Sequence, residues 1–307
     1  MKINKKLLLI VVAVLVILVT AGLVLLKYNR LLLLRNTATN NATNTNTKIY
    51  DEVVAQVIPE KGFQSKIVLG DSVVKLVENG AIDPSKFENL YKNRGGFPEG
   101  FKDILLVASD KPILLTKTNA NFYLNLLWPL GLSNYMEVNK TSPINGPKLN
   151  NFASTGGWNL GKADKGGVYF NKFNIAPLTE KQETLVLSIA QNTYRPCCGN
   201  STFFQDCNHG SGLLGLLELG AAQNLTEDEL YREALAFNSF WFSQTYITNA
   251  LYFKVVKGID WKDVDPKVVM GKDFSSGAGS GNISAEVAKI PNLIPSGATY
   301  GGGSCGA

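Results

Sequence analysis

GSGLLGLLELGAAQNLTEDELYREALAFNSFW, residues 210–241, decides the fold class. Gly210–Ala222 is almost wholly apolar, which predicts a largely buried helix starting near Gly210. Thr226-Glu227-Asp228-Glu229 then fits the capping box, in which the threonine hydroxyl and the side chain three residues on satisfy free amides of a new helix. Along that helix Leu230, Ala234, Phe237 and Trp241 recur at helical spacing, so the aromatic run Phe237–Tyr246 reads as core packing and not as a ligand platform. Glu227 and Asp228 lie in the first turn, where they complement the helix dipole.

Upstream, Thr179-Glu180-Lys181-Gln182 repeats the capping-box pattern, and Glu180 and Glu183 take the same dipole-complementing role. DSVVKLVENG (71–80) and DPSKFENLYKNRGG (83–96) read as short helices capped by Asp71 and by Asp83 or Ser85. ILLVAS (104–109) reads as a buried strand, and NANFYLNLLWPLGL (119–132) as a helix interrupted near Pro129. Residues 141–177 are rich in Gly, Pro and Asn and read as an ordered loop segment. The expected class is therefore mainly α, with a helical and loop-rich part over 49–177 and a helical part over 178–271. Residues 272–307 are dominated by small residues and read as a mobile Gly/Ser-rich tail ending in Cys305.

The N-terminus carries a different signal. Leu7–Leu26 is twenty residues without a charge or proline, preceded by the lysines of MKINKK. As a helix this run matches the roughly 30 Å hydrocarbon layer. It exceeds the usual h-region of a signal peptide, so residues 1–35 are expected to form an uncleaved single-pass anchor. NTATNNATNTNT (36–47) reads as a flexible Asn/Thr linker ending near residue 48. A short basic N-terminus followed by a large domain fits an extracytoplasmic domain at the cell membrane.

Charge excludes one function class. Six Lys/Arg and no acid lie in residues 1–35, leaving 24 basic against 25 acidic residues downstream. The remainder is near neutral, so no nucleic-acid partner is expected. Gly156-Gly157-Trp158-Asn159-Leu160-Gly161-Lys162 has a P-loop spacing, but Ala163 replaces the Ser/Thr and no apolar strand precedes it, so no nucleotide is expected either. With a single histidine and no nucleophile motif, a serine-hydrolase triad has no support.

The chemistry concentrates in PCCGNSTFFQDCNHG, residues 196–210, which holds Cys197, Cys198, Cys207 and His209: three of four cysteines and the sole histidine. The spacing C-C-x8-C-x-H lies at the start of the buried helix, where amides and the dipole favour a thiolate. Three readings are open. A 197–207 or 198–207 disulfide would staple the loop of a surface or scaffold protein, but leaves His209 unexplained. A metal site uses all four side chains, and thiolates with an imidazole suit zinc or copper. A thiol-disulfide oxidoreductase would use Cys197, Cys198 and Cys207 with Cys305 as a mobile thiol. The metal site is placed first because it accounts for every residue of the cluster.

The order Pro-Cys-Cys-Gly, Cys-Asn-His-Gly, apolar helix and Leu225-Thr226-Glu227-Asp228-Glu229-Leu230 resembles, over about residues 178–250, two groups of membrane-tethered extracytoplasmic proteins. These are the PCYCGC-motif lipoproteins and the small thiol-reductase subunit of cytochrome c maturation. The resemblance implies a helical, extracytoplasmic setting; the cluster itself leads to the expectation of a thiol- or metal-carrying protein partner. Cys197 and Cys198 are adjacent here, without the two spacers of the thiol-reductase pair, and the PCYCGC motif has one cysteine more.

Overall fold

The computed structural model describes the backbone of residues 5–298, and their side chains apart from 5–17, 19 and 33–44. It is mainly helical, as expected. The first helices are α1 (Lys5–Val57), α2 (Ser72–Glu78), α3 (Pro84–Lys92), α4 (Ala120–Ser133), α5 (Ala153–Gly156) and α6 (Glu180–Asn192). There follow α7 (Asn208–Ala222), α8 (Glu227–Trp241), α9 (Ser243–Leu251), α10 (Pro266–Met270), α11 (Lys272–Ser275) and α12 (Gly277–Ala288). Two strands, β1 (Phe63–Gly70) and β2 (Ser109–Leu115), pair antiparallel with Phe63 opposite Leu115. Two compact units divide the chain: residues 1–50 with 292–296, and residues 51–291 with the segment from 297.

In the first unit, α1 runs through the apolar stretch and through residues 36–48, which corrects the expected flexible linker. Asn and Thr are only about 0.5 kcal/mol per residue poorer than Ala in a helix, and extending a helix already nucleated avoids the costly first turn. Among the described residues no helix is long and apolar enough to cross a membrane. The side chains of residues 7–17, the first half of the apolar run, lie outside that description.

The second unit is organised by α4 against α7. Their backbones touch where Gly131 meets Gly215: a Cβ on Gly215 would lie 2.5 Å from the Leu127 carbonyl, and one on Gly131 would collide with the Ser211 carbonyl. Ser211 Oγ donates to the Trp128 carbonyl at 3.1 Å across the same contact. This packing carries α4 through Pro129 to Ser133, so the expected interruption does not occur. α8 packs beside α7 with Phe237 and Trp241 buried, as the spacing predicts. Both expected capping boxes form, at Thr179 with Gln182 and at Thr226 with Glu229.

Two further expectations are corrected. The strand expected at 104–109 is a run of turns with Leu106 and Val107 exposed at 71% and 60%; the strand begins at Ser109. Its partner β1 buries alternate residues Ser65, Ile67 and Leu69. The expected mobile tail is ordered over 272–288, where α11 and α12 pack with Ser275, Ser276, Ile283 and Val287 buried. Ser276 caps α12 by accepting from the Gly279 amide at 3.0 Å, and a Cβ on Gly279 would collide with the Lys272 carbonyl. Glycine here permits close approach of backbones, whereas composition alone suggests mobility. Cys305 lies outside the described residues.

Candidate metal centre

The loop between α6 and α7 carries the cluster. Its base is closed by a bridge between Tyr194 and Ser201, by Thr202 donating its amide to the Thr193 carbonyl at 2.9 Å, and by the paired hydroxyls of Thr193 and Thr202 at 2.9 Å. Cys207 is the N-cap of α7, its sulfur accepting from the Gly210 amide at 3.4 Å in the place a serine or aspartate oxygen ordinarily takes. His209 falls in the first turn of α7 and is wholly buried. Its ring packs on Phe242 and Trp241 at centroid distances of 4.4 and 5.7 Å.

Cys197, Cys207 and His209 converge, with ligand atoms all within 4.8 Å of one another. The Cys197 and Cys207 sulfurs are 3.4 Å apart. Two thiolates on a tetrahedral zinc, each at about 2.3 Å, stand roughly 3.8 Å apart, so a shift of a few tenths of an ångström admits an ion. No disulfide joins Cys197, Cys198 or Cys207. Cys198 belongs to a second group: with Asp206 and Cys207 it forms another set of ligand atoms within 4.8 Å. The four residues singled out from the sequence thus come together as two triads sharing Cys207, not as one four-ligand set.

Two site residues were not identified from the sequence. Arg195 is fully buried, and its guanidinium donates through Nε to Cys207 Sγ at 3.2 Å and through Nη1 to the carbonyls of Asn200 at 2.9 Å and Ser201 at 2.7 Å. Nη2 donates to the Phe204 carbonyl at 3.1 Å and to Asp206 Oδ1. Asp206 in turn accepts from Asn200 Nδ2 at 2.7 Å and from Cys198 Sγ at 3.6 Å. The glycine of Cys-Asn-His-Gly has its reason here, because a Cβ on Gly210 would stand 2.7 Å from Arg195 Cζ. The only sequence signal for this pair is position: Arg195 precedes Pro-Cys-Cys, and Asp206 precedes Cys207.

These neighbours divide the thiols. The Cys197 and Cys198 thiols, then Arg195 and the His209 ring, hold Cys207 well below the usual thiol range despite its burial. Hydrogen bonding to Cys198 and Cys207, together with burial, pushes Cys197 up. Cys198 is drawn down by Cys197, but Cys207 and burial outweigh this and raise it to about 12. Cys197 and Cys198 are half-buried and Cys207 is 6% exposed, so the vicinal pair is the approach to the buried Cys207 sulfur. The Cys198 carbonyl is held from outside the loop by the Gly277 amide at 2.8 Å, which makes the start of α12 part of the site's frame.

The P-loop-like glycines have no comparable arrangement. Gly156 and Gly157 close the single turn of α5, and the stem of Lys162 lies against Gly80. Comparison with protein-family models, with curated proteins and with solved structures finds no match to this chain.

Proposed function

We propose that the Cys/His cluster binds a soft or borderline metal ion, zinc(II) or copper(I), in a domain held outside the cytoplasm by the apolar N-terminal run. The observation that carries this reading is His209. Both its ring nitrogens are buried with no hydrogen bond of ordinary length among the described residues, and the ring stands within 4.8 Å of two sulfurs, with only a long contact toward Cys207. A buried polar group left unsatisfied costs about 1–3 kcal/mol, and coordination through one nitrogen would remove part of that penalty. Thiolate and imidazole ligands together suit zinc(II) and copper(I).

The reading is tested on the reduced full-length chain in detergent, dialysed against zinc(II) or copper(I) and analysed for bound metal. The expected result is a stoichiometric ion in the parent and its loss in His209→Ala. Equal metal content and affinity in both would refute it.

A thiol-disulfide oxidoreductase is the second reading. It is favoured by the 3.4 Å separation of Cys197 and Cys207, with Cys207 drawn well below the usual thiol range and Cys197 on the approach side. In that role a partner's thiolate would attack Cys197 of a Cys197–Cys207 disulfide and expel the Cys207 sulfur, and the partner's second thiol would then displace Cys197, leaving the partner oxidised and both cysteines reduced, a sequence that needs no metal ligand at His209.

A further inference from the structure

The two triads pose a question that the metal reading leaves open. Cys207 is shared between Cys197 with His209 on one side and Cys198 with Asp206 on the other, so the loop offers two cation positions bridged by one sulfur. We propose that the ion is held by Cys197, Cys207 and His209 alone, and that the Arg195 guanidinium is the resident cation of the second triad, which leaves Cys198 a free thiol. This inference rests on the metal-binding reading of the cluster.

The guanidinium already contacts two of the second triad's three members, Cys207 through Nε and Asp206 through Nη2. It is not a side chain that swings aside. Arginine has five N–H donors, and in Arg195 all five are engaged: one on sulfur, one on the carboxylate and three on the Asn200, Ser201 and Phe204 carbonyls. A second ion would have to displace a fixed positive charge or share Cys207 and Asp206 with it at close range, and like charges at such separations repel strongly away from water.

The Asp206 carboxylate is also spoken for on both oxygens, by Arg195 and Cys198 on Oδ1 and by Asn200 on Oδ2. Cys198 therefore donates to an anion that the protein has already neutralised. His209 belongs to the other triad, and its ring packs against Trp241 and Phe242. In the Cys197, Cys207 and His209 group the guanidinium touches only the shared Cys207 sulfur and, among the described residues, makes no hydrogen bond to Cys197 or His209. Three protein ligands also leave one position of a tetrahedral ion for an exogenous ligand, the arrangement of exchangeable rather than closed sites.

Cys197 and Cys198 are both half-buried neighbours, so they serve as probe and internal control. The reduced full-length chain in detergent is alkylated with iodoacetamide with and without zinc(II), and each cysteine's modification rate is followed by peptide mapping. Bound zinc is measured on the same samples. The expected result is that zinc slows Cys197 by about tenfold or more, as coordination withdraws the thiolate from reaction, and leaves Cys198 at its metal-free rate. Protection of both would overturn the proposal in favour of a three-cysteine site, and protection of Cys198 alone would place the ion in the second triad. Zinc retained with neither cysteine protected would locate it elsewhere and equally overturn it. Absence of bound zinc would instead defeat the metal reading itself, and this inference with it. As a second measurement, Cys198→Ser is expected to keep the parent's zinc affinity, whereas Cys197→Ser loses roughly 100-fold or more, beyond the usual effect of an outer partner. Equal losses in the two variants would overturn the assignment.

Discussion

Gly210→Ala tests the guanidinium's fixed position with a single methyl group. In a helix the change would ordinarily stabilise by about 0.5–1 kcal/mol, because alanine loses less backbone freedom on folding. At Gly210, however, the new Cβ would stand 2.7 Å from Arg195 Cζ, 2.8 Å from Nη2 and 2.9 Å from Nε. Such distances require movement, and Arg195 can move only by breaking bonds to Cys207, Asp206 and three carbonyls. Overpacking of this kind costs about 1–3 kcal/mol, so the net expectation is a loss on the order of 1–2 kcal/mol. For a cooperative unit of about 150–250 residues that corresponds to roughly 2–8 °C in Tm. Gly281→Ala is the matched control. Gly281 lies inside α12, and a Cβ there meets nothing within 4 Å, so the substitution is expected to stabilise by about 0.5–1 kcal/mol. Urea unfolding of the two variants and the parent measures both effects. If Gly210→Ala stabilises as much as Gly281→Ala, Arg195 is not held against the start of α7 and the account of the site's frame is wrong.

Gly279→Ala asks whether 272–288 is packed. Its Cβ would collide with the Lys272 carbonyl, so it should lower the urea midpoint, while an unchanged midpoint would return this segment to the mobile tail that composition suggests. Glu218 offers a pH test: burial, outweighing the pull of the Asn134 amide and aided by the charge of Glu183, raises its carboxyl well above the usual range. The folded chain then binds a proton that the unfolded chain releases above about pH 4.3, so stability should fall with rising pH by up to about 1.4 kcal/mol per unit until the folded group ionises. Glu218→Gln should remove that slope, and a parent-to-variant difference constant between pH 5 and pH 7 would refute it. Cys305 is the one cysteine outside the 196–210 stretch. Mild oxidation of the metal-free chain is expected to form an intramolecular disulfide from Cys305 to Cys197 or Cys198; mapping that finds only free or interchain Cys305 at every protein concentration would end that idea.

The legible parts of the fold are those where one local signal acts alone. Thr179 and Thr226 announce capped helices because the box is a contact between residues three apart. Phe237 and Trp241 announce a buried face because their spacing is helical. The misread parts depend on partners distant in sequence. Pro129 breaks a solitary helix, but α4 continues because Gly131 and Gly215 let α7 lie against it. The apolar run at 104–109 has the composition of a buried strand, yet β1 pairs with the next segment, whose first residues, Ser109-Asp110-Lys111, look like a turn.

Glycine explains both the misread tail and the half-read site. Composition counts glycine as chain freedom, and at 272–288 that arithmetic predicts mobility. A glycine's missing Cβ is also a space, and whether that space is filled depends on what the rest of the chain brings to it. At Gly279 it is filled by the Lys272 carbonyl, at Gly277 by the carbonyls of the cysteine loop, and at Gly210 by a guanidinium. The cluster of Cys197, Cys198, Cys207 and His209 was visible because these residue types are scarce in this chain and adjacent in sequence. Arg195 and Asp206 were not, because arginine and aspartate in a loop are ordinarily solvated, and their place in the site becomes apparent only once Gly210 is seen to make room for one and Cys198 to donate to the other. The two invisible residues also separate the four visible ones into two triads. Residue type reveals which side chains suit a metal, and in the site we propose the protein's own buried cation decides which of them are left to hold it.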